Sequence, residues 1–88
     1  MSYTVLMLPA ARKALANLPK RDQARVDEHI LSLTGDPRPR GAIPLKGTSR
    51  SLWRIRVGDY RILYRIEDDR LIVIVIDVGN RRDVYRGL

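Results

Sequence analysis

The sequence contains no cysteine and no phenylalanine, and it has a single histidine, His29. Without cysteine the chain cannot form disulfides, zinc ribbons, iron–sulfur clusters or a thiol nucleophile. One histidine rules out a two-histidine acid–base pair and most histidine-based metal sites. We therefore expect no metal ion and no cofactor, and any chemistry must come from other side chains.

Long hydrophobic runs are also missing. The longest strongly apolar segment, residues 71–76, has six residues, whereas a transmembrane helix needs about 20. The apolar start, residues 1–11, has no lysine or arginine ahead of its hydrophobic part, which makes it a poor signal peptide. With no cysteine and no leader, we expect a cytoplasmic protein without a membrane partner.

Acidic residues are scarce in the middle of the chain. The 88 residues include 17 basic and 10 acidic ones, for a net charge of +7. Residues 37–65 carry eight basic residues against Asp59 alone, so the whole excess lies in this segment. Such a block indicates a polyanionic partner, most often nucleic acid. The alternative is an ordinary solvated surface, which would intersperse both signs of charge.

The hydrophobic patterns predict an α+β fold in a chain with room for one domain, residues 1–88. An N-terminal strand precedes a helical hairpin broken at Pro19, and Gly35 is the expected cap of the second helix. Three antiparallel strands follow in one sheet, with the helices packed on one face. Residues 35–49 are expected to form a loop, and His29 a half-buried structural side chain. The predicted elements are strand 3–8, helices 9–18 and 20–34, and strands 52–57, 60–67 and 71–78.

The tight turn at Gly58 and Asp59 predicts the register of the hairpin that it closes. With a two-residue loop, Arg56 lies opposite Arg61. One face then carries a core set: Trp53, Ile55, Val57, Tyr60, Ile62, Tyr64 and Ile66. The other face carries the arginines, together with two leucines: Arg50, Leu52, Arg54, Arg56, Arg61, Leu63 and Arg65. A like-charge pair across strands destabilises a sheet, which favours an anion-binding face over a solvated one that only covers apolar surface.

The last predicted strand is apolar at every position from 71 to 76, so we expect it to be central and covered on both faces. The segment after Gly79 is then the part of the chain available to cover the arginine face. It would return Arg81 and Tyr85 to the end of the sheet that holds Arg56 and Arg61.

Two motifs in this region resemble the signature of the RelE/ParE toxin superfamily. They are G-x-Y-R-x-x-Y at residues 58–64 and V-G-x-R-x-x-V-Y at residues 78–85. The element order and Leu45-Lys46-Gly47 agree, so the resemblance covers nearly the whole chain. It implies the RelE-like mRNA interferase branch, the toxin of a bacterial type II toxin–antitoxin pair. Such a toxin is an endoribonuclease that enters the ribosomal A site, where the RNA 2′-hydroxyl attacks the adjacent phosphate to leave a 2′,3′-cyclic phosphate.

The resemblance also implies roles for individual residues. Arg61 and Arg81 match the arginines that grip the scissile phosphate, and Tyr85 matches the C-terminal catalytic tyrosine. Arg54 and Arg56 fall where several relatives have lysine, and arginine is a poor general base. Tyr85 is therefore the predicted base, and the other four act electrostatically. Further RNA contacts are predicted at Lys46, Arg50, Arg65 and Arg82.

Partners follow from the same resemblance. It implies a cognate antitoxin, with which the toxin forms a hetero-oligomer that binds operator DNA, and it implies mRNA and the ribosome as targets. The competing interpretation is the ParE branch, which inhibits DNA gyrase and has no nuclease activity. The complete set of arginines with the terminal tyrosine favours the ribonuclease. A nucleic-acid-binding module without chemistry is the third alternative.

Overall fold

The computed structural model describes residues 2–45 and 52–80, in which two helices pack on one face of a five-stranded sheet. This confirms the predicted element order. It adds a two-residue strand, β2, inside the segment predicted to be a loop. The elements are β1 (Thr4–Met7), α1 (Pro9–Ala16), α2 (Lys20–Ser32), β2 (Ile43–Pro44), β3 (Leu52–Val57), β4 (Tyr60–Glu67), a 3₁₀ turn (Asp68–Arg70) and β5 (Ile72–Asn80).

The strands lie in the order β1-β5-β4-β3-β2, so β4 is central and β5 is flanked on both sides. Pairing is antiparallel from β2 to β5, whereas β1 runs parallel to β5 with Thr4 beside Ile72. Parallel neighbours need a long crossover connection. Here the two helices and three strands of the chain separate β1 from β5.

The helices begin as the sequence predicts, but the second one ends differently. Pro9 occupies the start of α1, where its missing N–H costs nothing. Gly35 is not in the left-handed conformation, since positive φ among the described residues occurs at Gly41, Gly58 and Leu71. Instead, α2 tightens into 3₁₀-type bonds, with the N–H of Gly35 donating to the carbonyl of Ser32 at 3.2 Å. The prediction that Gly35 caps the second helix was therefore wrong.

His29 is exposed, and not half-buried as predicted. The buried face of α2 is set by Val26 and Ile30, and successive helical residues are about 100° apart. The neighbour of Ile30 therefore points outward, where its Nδ1 lies 2.9 Å from the carbonyl of Arg25 on the same helix.

The core lies between the helices and the face of the sheet that the hairpin register predicts. Residues from both helices meet five buried residues of β3 and β4, with Trp53 and Tyr60 packed at the margin. Tyr64 is fully buried, its hydroxyl donates to the carbonyl of Pro37 at 2.8 Å, and burial raises its pKa to about 12. The five strand residues are Ile55, Val57, Ile62, Tyr64 and Ile66.

The expectation that β5 is covered on both faces was wrong in part. Val73, Val75 and Val78 are buried against the helices, whereas Ile72 and Ile74 on the outer face are only half-buried. No helix within residues 2–45 and 52–80 is long and apolar enough to cross a membrane.

Candidate nucleic-acid interface

The β3–β4 hairpin places the arginines on the face of the sheet that points away from the helices. The observed register pairs Val57 with Tyr60 and Arg56 with Arg61, as predicted. Gly58 opens the two-residue turn with φ at +59°, a conformation that glycine adopts without strain. We call the outer surface formed by Arg54, Arg56, Arg61 and Arg65 the arginine face.

Arg56 and Arg61 form the centre of this face. They are direct cross-strand partners, an arrangement that costs a sheet some tenths of a kcal/mol when the charges are alike. Arg56 is exposed, while Arg54 and Arg61 are half-buried. Among residues 2–45 and 52–80, neither Arg54 nor Arg56 takes part in an ion pair. Positive charge is thus concentrated at the hairpin end, where an anion would relieve it.

Arg65 lies at the opposite end of the arginine face and is partly neutralised. Its Nη2 is 2.8 Å from Oε2 of Glu67, and the other oxygen of that carboxylate binds Arg70 at 3.1 Å. These contacts lower the pKa of Glu67, chiefly through the hydrogen bond from Arg65. Arg65 therefore offers less unbalanced charge to a ligand than Arg56 does.

A small apolar cluster underlies the arginines. Leu63 is 1% exposed and Leu52 is 7% exposed, and Leu45 and Ile76 pack against them. Leu63 lies opposite Arg54 and between Arg61 and Arg65 along β4. The arginines of this face therefore lie over buried apolar side chains, which the methylene groups of arginine can help to cover.

One acidic residue on this face was missed by the sequence analysis. Asp77 is half-buried and lies opposite Leu63, so it shares the outer face with the arginines. The register of β4 and β5 shifts by one residue between Leu63 and Tyr64. If strict alternation is assumed along β5, Asp77 is assigned to the core face, and the shift is missed. Val75 and Val78 are both buried although they are three positions apart, whereas residues on one face of a regular strand are an even number of positions apart.

Arg38 belongs to the basic block but not to the arginine face. Its guanidinium lies 5.2 Å from the centroid of Trp53 and donates to both oxygens of Asp68, at 3.1 and 2.7 Å. The hydroxyl of Tyr3 donates to the same carboxylate at 2.6 Å. Part of the positive charge between residues 37 and 65 is therefore used to fasten the chain before β2 to the turn before β5.

The described tyrosines are not proton acceptors for the arginine face. Tyr60 donates a hydrogen bond to Asp22 at 3.0 Å, and that bond raises the pKa of Tyr60. The hydrogen bond from Tyr3 to Asp68 raises the pKa of Tyr3 in the same way. Tyr64 is buried on the core side. Five predicted site residues lie outside the described residues: Lys46, Arg50, Arg81, Arg82 and Tyr85.

Comparisons with known proteins agree with the motifs. The profile of the family described as the ParE toxin of type II toxin–antitoxin systems, parDE, matches residues 5–85. The toxin RelG of Mycobacterium tuberculosis is 38% identical over 87 residues, which cover 98% of this chain and 99% of RelG.

Solved structures show the same fold. The RelBE2 toxin–antitoxin complex of M. tuberculosis contains a chain with a TM-score of 0.81 and 35% identity, covering 92% of this chain and all of that one. The archaeal RelE–RelB complex from Pyrococcus horikoshii gives a TM-score of 0.82 and 32% identity, covering 94% of this chain and 99% of that one. With its motifs, its fold and nearly its whole length matched, this chain belongs to the RelE/ParE family of type II toxins.

Proposed function

We propose that this toxin is a ribosome-dependent endoribonuclease that cleaves mRNA at the A-site codon. The observation that carries the proposal is the direct pairing of Arg56 with Arg61 on a face where Arg54 adds a third charge. In-line attack of a 2′-hydroxyl on the next phosphate forms a 2′,3′-cyclic phosphate and breaks the bond from phosphorus to the 5′-oxygen of the following nucleotide, which leaves as a hydroxyl after taking a proton. Negative charge builds on the phosphoryl oxygens during this step. Fixed guanidinium groups stabilise that charge in the transition state.

In this proposal Arg61 and Arg81 hold the scissile phosphate. Asn80 lies opposite Tyr60, so the chain reaches residue 80 at the end of the sheet that holds Arg56 and Arg61. This supports the role of Arg81, which is the next residue. Guanidinium groups do not lose a proton at neutral pH, so Arg54 and Arg56 act by charge alone, and Tyr85 acts as the base.

The proposed partners are a cognate antitoxin, the ribosome and mRNA. Both solved complexes described above contain a toxin together with RelB-type antitoxin. An antitoxin segment with acidic residues complements the arginine face. The hetero-oligomer that results is proposed to bind operator DNA.

Inhibition of DNA gyrase is the second candidate function, because the matching profile is that of the ParE toxin. Two assays on one protein preparation separate the candidates. Primer extension on mRNA from translating ribosomes is expected to show cuts within the A-site codon, and a supercoiling assay is expected to show an unimpaired gyrase. Intact mRNA together with inhibited supercoiling would move the protein to the gyrase-inhibitor branch.

The role of Tyr85 has its own test. Tyr85→Phe keeps the aromatic ring but removes the phenolic oxygen. We expect the cleavage rate to fall by about 10²–10⁴, since general acid–base catalysis contributes that much, while ribosome binding is retained. Cleavage at the parental rate would keep the nuclease and remove Tyr85 from its mechanism.

A further inference from the structure

A β-bulge in β5 puts a carboxylate on the arginine face. Tyr64 pairs with Val75 and Leu63 pairs with Asp77, so Ile76 is an extra residue with no partner on β4. Without the bulge, Asp77 would follow Val75 by two positions and enter the core. With it, Ile76 packs against the outer leucines and Asp77 faces outward beside the arginines. Bulges often re-aim a side chain in this way next to functional sites.

The carboxylate lies close to the arginine assigned to the phosphate. Arg61 pairs with Gly79 and Leu63 pairs with Asp77, which makes Asp77 the diagonal neighbour of Arg61. Such neighbours are roughly 7–8 Å apart, within the span of an arginine side chain. Gly79 contributes no side chain between them.

A negative charge on this face repels the phosphates of a polyanion. A hydrogen-bond donor on the same ligand would offset that repulsion by binding the carboxylate. Within residues 2–45 and 52–80, Asp77 forms no ion pair, and its Oδ1 accepts a hydrogen bond from the N–H of Val78 at 2.9 Å. An ionised carboxylate has about four acceptor positions. Acceptor capacity therefore remains for a ligand.

We propose that, in the bound complex before reaction, Asp77 accepts a hydrogen bond from the 2′-hydroxyl of the nucleotide held at Arg61, and so makes the face select RNA over DNA. Tyr85 takes that proton only when the 2′-oxygen attacks the phosphorus. This rests on the proposed function. The attacking 2′-oxygen must come within roughly 3–3.5 Å of its target atom, the phosphorus. A carboxylate beside the phosphate-binding arginine is therefore closer to that hydroxyl than to the edge of a base. The 2′-hydroxyl is also the group by which a protein distinguishes RNA from DNA.

The test measures binding to single-stranded RNA and DNA of one sequence, for the parent and for Asp77→Ala, Asp77→Asn and Asp27→Ala. The parent is expected to prefer RNA. Asp77→Ala is expected to reduce that preference roughly ten- to a hundredfold, the range for a hydrogen bond to a charged group. Binding of DNA should tighten, because a repulsive charge is gone. Asp77→Asn keeps an acceptor oxygen of the same shape and should retain part of the preference.

Asp27→Ala is the matched control, since it removes the same charge from an exposed position on α2 and should leave the preference unchanged. A parent that binds RNA and DNA equally, or an Asp77→Ala variant with the parental preference, overturns the inference. If Asp77→Ala fails to fold, a parental preference in Asp77→Asn with no tightening toward DNA overturns it equally. The binding assay needs no cleavage, whereas the proposed function is tested by cleavage with the parent alone, so the two failures are distinguishable.

Discussion

Arg61 and Ile62 are neighbours in the sequence, but their side chains lie on opposite faces of the sheet. Arg61→Ala is expected to abolish cleavage while leaving the fold intact, because it removes a charge from the outer face and also relieves repulsion with Arg56. Ile62 is fully buried, so Ile62→Ala should lower the free energy of unfolding by about 2–4 kcal/mol. Denaturant titrations of both variants, beside the cleavage assay, measure this difference. A far less stable Arg61→Ala with a parental Ile62→Ala would mean that the faces are inverted.

Asp68 makes stability depend on acid pH. Hydrogen bonds from Arg38 and then Tyr3 lower its pKa to about 2, below the value of roughly 3.9 for aspartate in an unfolded chain. A depressed pKa stabilises the folded state above the unfolded value, and that stabilisation is lost as the pH falls through about 4 toward 2. We expect Asp68→Asn to melt below the parent at neutral pH and to approach it as the pH falls.

The control for this experiment is Asp69→Asn, the neighbouring residue on the same 3₁₀ turn. Its melting temperature should follow that of the parent across the whole pH range. A constant difference between Asp68→Asn and the parent from neutral pH to pH of about 2 would contradict the assigned role of the Arg38–Asp68 contact.

At the scale of elements, the bulge in β5 makes the strand tolerant of one particular deletion. Removing Ile76 leaves Val75, Asp77 and Val78 in simple alternation, so every downstream residue keeps its face. The loss should be about 1 kcal/mol, the contribution of one half-buried side chain. Thermal melts of the deletion variant measure its stability, and an NMR spectrum of its backbone amides shows whether the strand register is retained.

Deletion of Leu63 is the matched comparison on β4. It removes an apolar residue opposite the bulge, but it brings Ile62 and Tyr64, which both face the core, next to each other. One half of β4 must then turn its core side chains outward, and we expect this variant not to fold. Equal stability of the two deletion variants would show that the bulge does not absorb the extra residue.

The hairpin and the bulge show why some of this structure was predictable from the sequence. The two-residue turn at Gly58 fixes the alignment of its flanking strands locally, so the faces of β3 and β4 followed from the sequence. β4 and β5 are connected by a 3₁₀ turn and not by a two-residue hairpin turn. The bulge at Ile76 shifts their register, and a run of apolar residues gives no sign of that shift. Asp77 was missed for that reason, and β2 was missed because two residues carry no periodicity.

At the scale of the whole molecule, positive charge is concentrated on one side of a sheet whose other side is covered by helices. Affinity for naked RNA should therefore be weak and should fall steeply with ionic strength. With four or five phosphate contacts, the slope of log affinity against log salt is expected to be roughly −3 for single strands. Fluorescence anisotropy across about 50–200 mM salt measures it. An affinity indifferent to salt would contradict a polyanion partner.

The parallel pairing of β1 with β5 sets an order of events during synthesis. Residue 4 pairs with residue 72, a separation of 68 positions in the sequence. Closing so long a loop is slow compared with forming the β3–β4 hairpin, so β1 should dock last. On the ribosome, β1 emerges first and must wait until β5 has been made. A nascent toxin therefore lacks its complete sheet until the part of the message that encodes β5 has been read.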